Sequence, residues 1–162
     1  MNALLLSAGL GTRLRPLTNN IPKALIEVNT EPILKLNLDK LYKFGISRVI
    51  VNVHYLSDKI IDYIKKLSYP KMEIIISDES EMLLDTGGAL LKAKDLFVKD
   101  EPILIHNVDI LSDTNFSELL EYKNSKNIDA LLVVQNRAND RKLIFDSNNK
   151  LVGWVNHNSN VQ

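Results

Sequence analysis

An apolar run, Ala3-Leu4-Leu5-Leu6, leads directly into Ser7-Ala8-Gly9-Leu10-Gly11-Thr12-Arg13, and this junction constrains the fold more than any other feature of the chain. Apolar residues at consecutive rather than alternate positions mark a strand buried on both faces, as in a parallel sheet covered by helices. A glycine-rich turn straight after such a strand falls at the sheet's carboxyl edge, where α/β folds bind their ligands. Gly9 and Gly11 are expected to take positive φ and to let backbone approach a ligand with no Cβ in the way.

The rest of the chain alternates in the same manner. Residues 48–53, 72–76, 103–107 and 130–134 read as further strands. Leu34, Leu38, Leu41 and Tyr42 repeat at helical spacing between Pro32, which suits a first turn, and Gly45, which suits a C-terminal stop. Ser57 is placed to cap a helix whose Ile60, Ile64 and Leu67 share a face. Residues 89–97 and 116–122 read as helices, and 143–145 with 151–155 as a hairpin around Asp146-Ser147-Asn148-Asn149. The expected class is α/β, a Rossmann-like, mostly parallel sheet flanked by helices. No repeat, low-complexity tract or linker divides it, so 1–162 reads as a single domain.

Lys plus Arg and Asp plus Glu both number 20, so no overall charge draws the chain to nucleic acid or to a membrane. The absence of cysteine removes disulfides, thiolate zinc sites and thiol nucleophiles. With no apolar run near the ~20 residues of a membrane span and no basic leader, the expected location is cytoplasmic. The distribution of charge says more than its sum. No acidic residue precedes Glu27, while Arg13, Arg15 and Lys23 all fall in that stretch. Either the segment holds an anion or its cations pair with acids elsewhere in the fold.

The loop matches neither common glycine motif. A dinucleotide fingerprint would place glycine where Leu14 stands, and a P-loop would close on Gly-Lys-Ser/Thr. Thr12 offers a hydroxyl, Arg13 a planar fork for two phosphate oxygens, and Lys23, behind Pro22, a point charge. Among the histidines, His54 reads as a strand-end polar residue, His106 as packing, and His157 as part of a polar tail. Trp154 reads as hairpin packing.

The order Gly9-x-Gly11-Thr12-Arg13-x-Arg15-Pro16-x-Thr18, then Pro22-Lys23-Ala24-Leu25, resembles the signature of sugar-1-phosphate nucleotidyltransferases. It is most similar to the branch of N-acetylmuramate-1-phosphate uridylyltransferase and mannose-1-phosphate guanylyltransferase-like proteins. The resemblance implies the nucleotide-diphospho-sugar transferase fold and transfer of NMP from an NTP, UTP or GTP foremost, to a sugar 1-phosphate. It gives Ala8, Gly9, Gly11, Thr12, Arg13 and Lys23 to the triphosphate, with Arg13 and Lys23 catalytic.

The segment 79–90 resembles the part of the family that lies over the base. Glu79 or Glu81 would accept from base N–H groups, while Thr86, Gly87 and Gly88 would let backbone meet the ring; Asp85 or Thr86 could equally cap the following helix. Ile103 to Asp109 resembles the family's Asn-Gly-Asp segment. Asp109 is thereby assigned Mg²⁺ and Asn107 the sugar phosphate, and Val108 replaces the glycine, narrowing the room beside the metal. Asp113 reads as a turn or helix-cap residue rather than a second ligand. No match is found for the family's later sheet, sugar pocket and second metal-binding Asp, so the domain is expected to be truncated at its C-terminus. The alternative to an enzyme is a nucleotide-binding regulatory module.

Overall fold

The computed structural model describes residues 1–136 and 140–156; His157 lies outside them. The chain runs β1 (Asn2–Leu6), three short 3₁₀ turns (Thr12–Leu14, Leu17–Asn19, Lys23–Leu25), the small antiparallel pair β2 (Glu27–Val28) and β3 (Glu31–Pro32), and α1 (Ile33–Phe44). There follow β4 (Arg48–Val53), α2 (Ser57–Ile64), β5 (Glu73–Asp78), α3 (Asp85–Ala93), β6 (Ile103–Asn107), α4 (Phe116–Lys126), β7 (Arg141–Phe145) and β8 (Leu151–Asn156). Two compact units form, Met1–Glu118 and Leu119–Gln162.

In the first unit, four parallel strands lie in the order β5-β4-β1-β6. Two crossovers step outward from β1 to β4 and β5, and the third returns to the other side of β1. The strand order therefore reverses beside β1, the place at which open α/β sheets leave a crevice. Leu4, Leu6, Ile50 and Ile75 pack with Leu90, Ala93, Leu96 and Phe97 from α3 and the turn after it. The alternate residues Ala3, Leu5, Val49 and Val51 are fully buried too, on the face that right-handed crossovers give to α1 and α2. Burial on both sides, at about 1.5–3 kcal/mol per large side chain, is why these strands read as unbroken apolar runs.

Helix ends follow local chemistry. Gly45 closes α1 at φ 89°, its N–H donating to Leu41 and Tyr42 carbonyls. Asn115 caps α4: its Oδ1 accepts from Ser117 N at 3.0 Å and its Nδ2 donates to Glu118 at 2.8 Å. Asp113, expected at a turn or cap, therefore leaves the cap to Asn115. Ser57 is the first residue of α2 rather than its cap, because Leu56 takes the boundary position at φ 51°. Leu67 falls beyond that helix. Helix α3 begins at Asp85, four residues before the expected start, and neither Asp85 nor Thr86 caps it.

In the second unit, β7 and β8 pair as a hairpin whose turn is held by Asp146 Oδ1, accepting from Asn148 and Lys150 N–H groups at 2.9 Å. Trp154 faces solvent there instead of packing. Residues 130–134, expected as a fifth strand, form no ladder. Leu132, Val133 and Val134 are exposed, and an apolar run becomes a strand only where a neighbour takes its hydrogen bonds. No helix among the described residues is long and apolar enough to cross a membrane.

Candidate nucleotide site

The candidate site residues gather at the carboxyl ends of parallel strands: Ser7 to Lys23 after β1, Glu79 and Glu81 in the loop after β5 with Thr86, Gly87 and Gly88 in the first turn of α3, and Asn107 and Asp109 at the end of β6 and just past it. Leu6 sits beside Asn52 on one side and Asn107 on the other, so the loop after β1 emerges between the other two segments.

The loop is shaped by its own residues. Gly11 adopts φ 64°, and a Cβ there would lie 2.8 Å from Thr18 Cγ2. Thr18 is fully buried and its Oγ1 donates to the Gly11 carbonyl at 2.8 Å. Gly11 thus answers to both the dihedral and the space. Gly9 does not take positive φ, and a Cβ there would meet nothing within 4 Å. The expectation of positive φ holds for Gly11 alone. Thr12, Arg13 and Arg15 are exposed. Among the described residues neither arginine has an ion-pair partner, so cations pairing with acids elsewhere does not account for them.

Lys23 does have a partner. Its Nζ pairs with Asp109 Oδ2, both side chains being partly exposed. Two elements hold this pair. Pro22 and the 3₁₀ turn Lys23–Leu25 fix the lysine, with Ala24 buried beneath. A turn at 107–110, closed by Ile110 N donating to the Asn107 carbonyl at 3.2 Å, carries the aspartate. Asn37, buried on α1, steadies that turn by donating from Nδ2 to the Val108 carbonyl at 2.8 Å. Val108 is 3% exposed. Its side chain goes into the interior and does not narrow the space beside Asp109, contrary to the expectation drawn from the missing glycine. Asn107 is exposed at the strand end.

Glu79 is placed differently from the expectation. It is 1% exposed, and both carboxylate oxygens are engaged: Oε1 accepts from Asn52 Nδ2 at 2.9 Å and Oε2 from Leu84 N at 3.2 Å. Turned inward in this way, it does not present its carboxylate to a base. Glu81 is exposed, as are Thr86 and Gly87, while Gly88 is half-buried. A Cβ at Gly88 would lie 2.8 Å from Leu84 Cβ, so packing within the chain requires glycine there; at Gly87 the space is open.

Asn52 was invisible to motif reading. Its Oδ1 accepts from Ser7 N at 2.6 Å and Ala8 N at 3.3 Å, which fixes the first amides of the loop. The signal lay in β4 itself: an asparagine inside Arg-Val-Ile-Val-Asn-Val must find partners, since an unsatisfied buried polar group costs about 1–3 kcal/mol. His54 Nδ1 lies 2.6 Å from the Glu79 carbonyl and serves the same corner. His106 packs edge-on against Phe116, in agreement with a packing role, and burial lowers its pKa.

No cluster of three or more metal-ligating side chains occurs among the described residues. A single partly exposed carboxylate at the carboxyl edge still suits Mg²⁺, which binds through one or two carboxylates and takes its other ligands from phosphate and water.

The family profile described as Nucleotidyl transferase matches residues 2–143. The chain is 38% identical over 109 residues to an N-acetylmuramate alpha-1-phosphate uridylyltransferase of Caulobacter vibrioides, covering 66% of this chain and 45% of that protein. It is 34% identical over 135 residues to a mannose-1-phosphate guanyltransferase of Yarrowia lipolytica, covering 82% and 37% respectively. The chain therefore spans less than half the length of these relatives. The crystal structure of HddC from Yersinia pseudotuberculosis has the same fold, with a TM-score of 0.73 at 21% identity, covering 96% of this chain and 68% of that one.

Proposed function

The chain belongs to the nucleotidyl transferase family, and we propose that it forms the nucleotide-binding part of an enzyme transferring NMP from an NTP to a sugar 1-phosphate, with release of pyrophosphate. One observation carries the reading: the loop that leaves β1, clasped by Gly11 and Thr18, bears an Arg13 with no ion-pair partner among the described residues, and its Gly11 lies against Lys23 of the Lys23–Asp109 pair. A polyanion is the ligand best suited to the amides from Gly9 to Thr12, which follow the anchored Ser7 and Ala8, together with an unpartnered guanidinium. UTP or GTP is favoured, since the relatives just described are named as a uridylyltransferase and a guanyltransferase.

The chemistry asks little covalent work of the protein. A sugar-phosphate oxygen is already anionic near neutral pH, so no general base is needed to make it a nucleophile. What the reaction needs is in-line positioning and charge neutralisation around the α-phosphorus. Gly9, Gly11 and Thr12 offer backbone and hydroxyl groups to the triphosphate, Ala8 is the anchored residue from which they extend, its N–H being held by Asn52, and Arg13 neutralises the triphosphate's charge. Lys23, once released from Asp109, does the same. Asp109 would hold Mg²⁺, whose charge would offset that of the phosphate oxygens. Asn107 is the candidate for the sugar phosphate, and Thr86, Gly87 and Gly88 with Glu81 border the base.

The test is pyrophosphate release from each NTP over a panel of sugar 1-phosphates, with and without Mg²⁺. Release with one matched pair is expected. Nucleotide binding without release for any pair would favour the regulatory module instead.

A further inference from the structure

We infer that Asn52 is a positioning residue: its side-chain amide sets the first two amides of the phosphate loop and, through Glu79, ties them to the turn that opens α3. The inference rests on the nucleotide reading of the loop given above. It adds that the phosphate and base halves of the site are joined mechanically inside the protein.

The connection is continuous and buried. Ser7 and Ala8 N–H groups donate to Asn52 Oδ1, Asn52 Nδ2 donates to Glu79 Oε1, and Leu84 N–H donates to Glu79 Oε2. Ser7, Asn52 and Glu79 are all buried. The partners fix the orientation of the amide, since two N–H groups face its oxygen and a carboxylate faces its nitrogen. Glu79 is anchored in turn through its backbone, donating to the Val53 carbonyl at 2.7 Å and accepting from Met82 N–H at 3.0 Å. Residues 45 and 27 positions apart in sequence are thus held in one line. A shift of the Leu84 turn when a base settles over Gly87 moves Glu79, then Asn52, then the amides that begin the phosphate loop. Neither Asn52 nor Glu79 reaches solvent, so both act through other groups.

A polar network that only stabilised the core would leave ligand affinity unchanged in the folded protein. A charge-conserving swap separates the two cases. Asn52→Asp sets one carboxylate oxygen against another. Glu79→Gln leaves an amide N–H facing either the Asn52 amide N–H or the Leu84 N–H. Combining N52D with E79Q restores every donor to an acceptor: Asp accepts from Ser7 and Ala8 with one oxygen and from the Gln amide with the other, and the Gln oxygen accepts from Leu84.

The probe is inorganic tripolyphosphate with Mg²⁺, which has no base to touch the α3 turn, titrated into the full chain. Amide hydrogen exchange at Ser7 and Ala8 is followed in parallel. Each single variant is expected to weaken tripolyphosphate binding by about tenfold and to speed exchange at both amides, and the pair to return within about threefold of the parent. Singles that fail to fold beside a pair that folds would mark a network that only stabilises the core and would overturn the inference. Losses that add in the pair, or a Glu79→Gln protein with unchanged affinity and exchange, would overturn the inference. Failure of the parent chain to bind tripolyphosphate would instead overturn the nucleotide reading, and exchange at Ser7 and Ala8 would still decide the connection.

Discussion

Lys23 and Asp109, 86 residues apart in sequence, neutralise one another as an ion pair. The cation proposed for the triphosphate and the anion proposed for the metal are therefore each other's ligand until both are replaced together. Metal and nucleotide binding should consequently depend on one another.

Asp109→Asn should reveal that dependence. Without its partner Lys23 is free to meet phosphate, so binding of metal-free NTP in EDTA should equal or exceed that of the parent. The gain on adding Mg²⁺ should fall at least about tenfold, one lost charge-assisted contact being worth that much. Titration calorimetry with and without Mg²⁺ reads both; an undiminished response to the metal would remove Asp109 from its assigned role.

Arg13→Ala should separate function from stability. No partner holds Arg13 among the described residues, so the thermal midpoint should stay where it is. Turnover in the pyrophosphate assay should drop at least ~10²-fold, the usual result of deleting one preorganised group at a developing charge. Near-normal turnover would argue against the assignment.

Gly11→Ala should destabilise the protein by about 1–3 kcal/mol, through the positive φ and the contact with Thr18 together. Thr18→Ser removes Cγ2 while keeping the hydroxyl, so in the Gly11→Ala background it should recover part of the loss. Gly9→Ala should leave stability unchanged, the space there being open. Urea unfolding of the four proteins is the check, and equal losses at Gly9 and Gly11 would contradict the geometry.

His106 should give stability an acid-side dependence. Burial lowers its pKa, so the unfolded chain binds the proton at higher pH than the folded one. The contribution is complete above the ordinary value of about 6.5 and is lost as pH falls through the lower folded value. His106→Phe keeps a ring against Phe116 and removes the titration. Its unfolding free energy should therefore change less than the parent's between pH 7.5 and pH 5; parallel curves would exclude His106 as the source.

The sheet and the glycine loop were legible because their causes are local. β4 and β6 occupy the bounds that their apolar runs imply, and Gly45 ends α1 for the reason any glycine does. What stayed hidden depends on distant partners. Leu56, not Ser57, takes the boundary position before α2 because the chain leaving β4 turns through a left-handed residue, which no capping rule assigns to leucine. Val108 looked like an obstruction beside a metal until burial put it in the core. Residues 130–134 have the composition of a strand, yet composition cannot supply the neighbour that a strand needs. Glu79 was given to the base because its segment resembles the part of the family that lies there; its inward turn follows from Asn52, whose significance lies in a side-chain pairing that periodicity does not carry.

The two ways in which the loop is held also set an order of assembly. The Gly11–Thr18 clasp spans seven residues and so closes a short loop at a smaller entropic cost than a long one. The anchors of Ser7 and Ala8 reach across 45 and 44 residues and exist only after β1 has docked on β4. A partly folded chain thus carries every residue of the motif but not its first fixed amides. Nucleotide binding becomes a late event in folding, and a ligand-induced rise in thermal midpoint would report that the central sheet has been assembled.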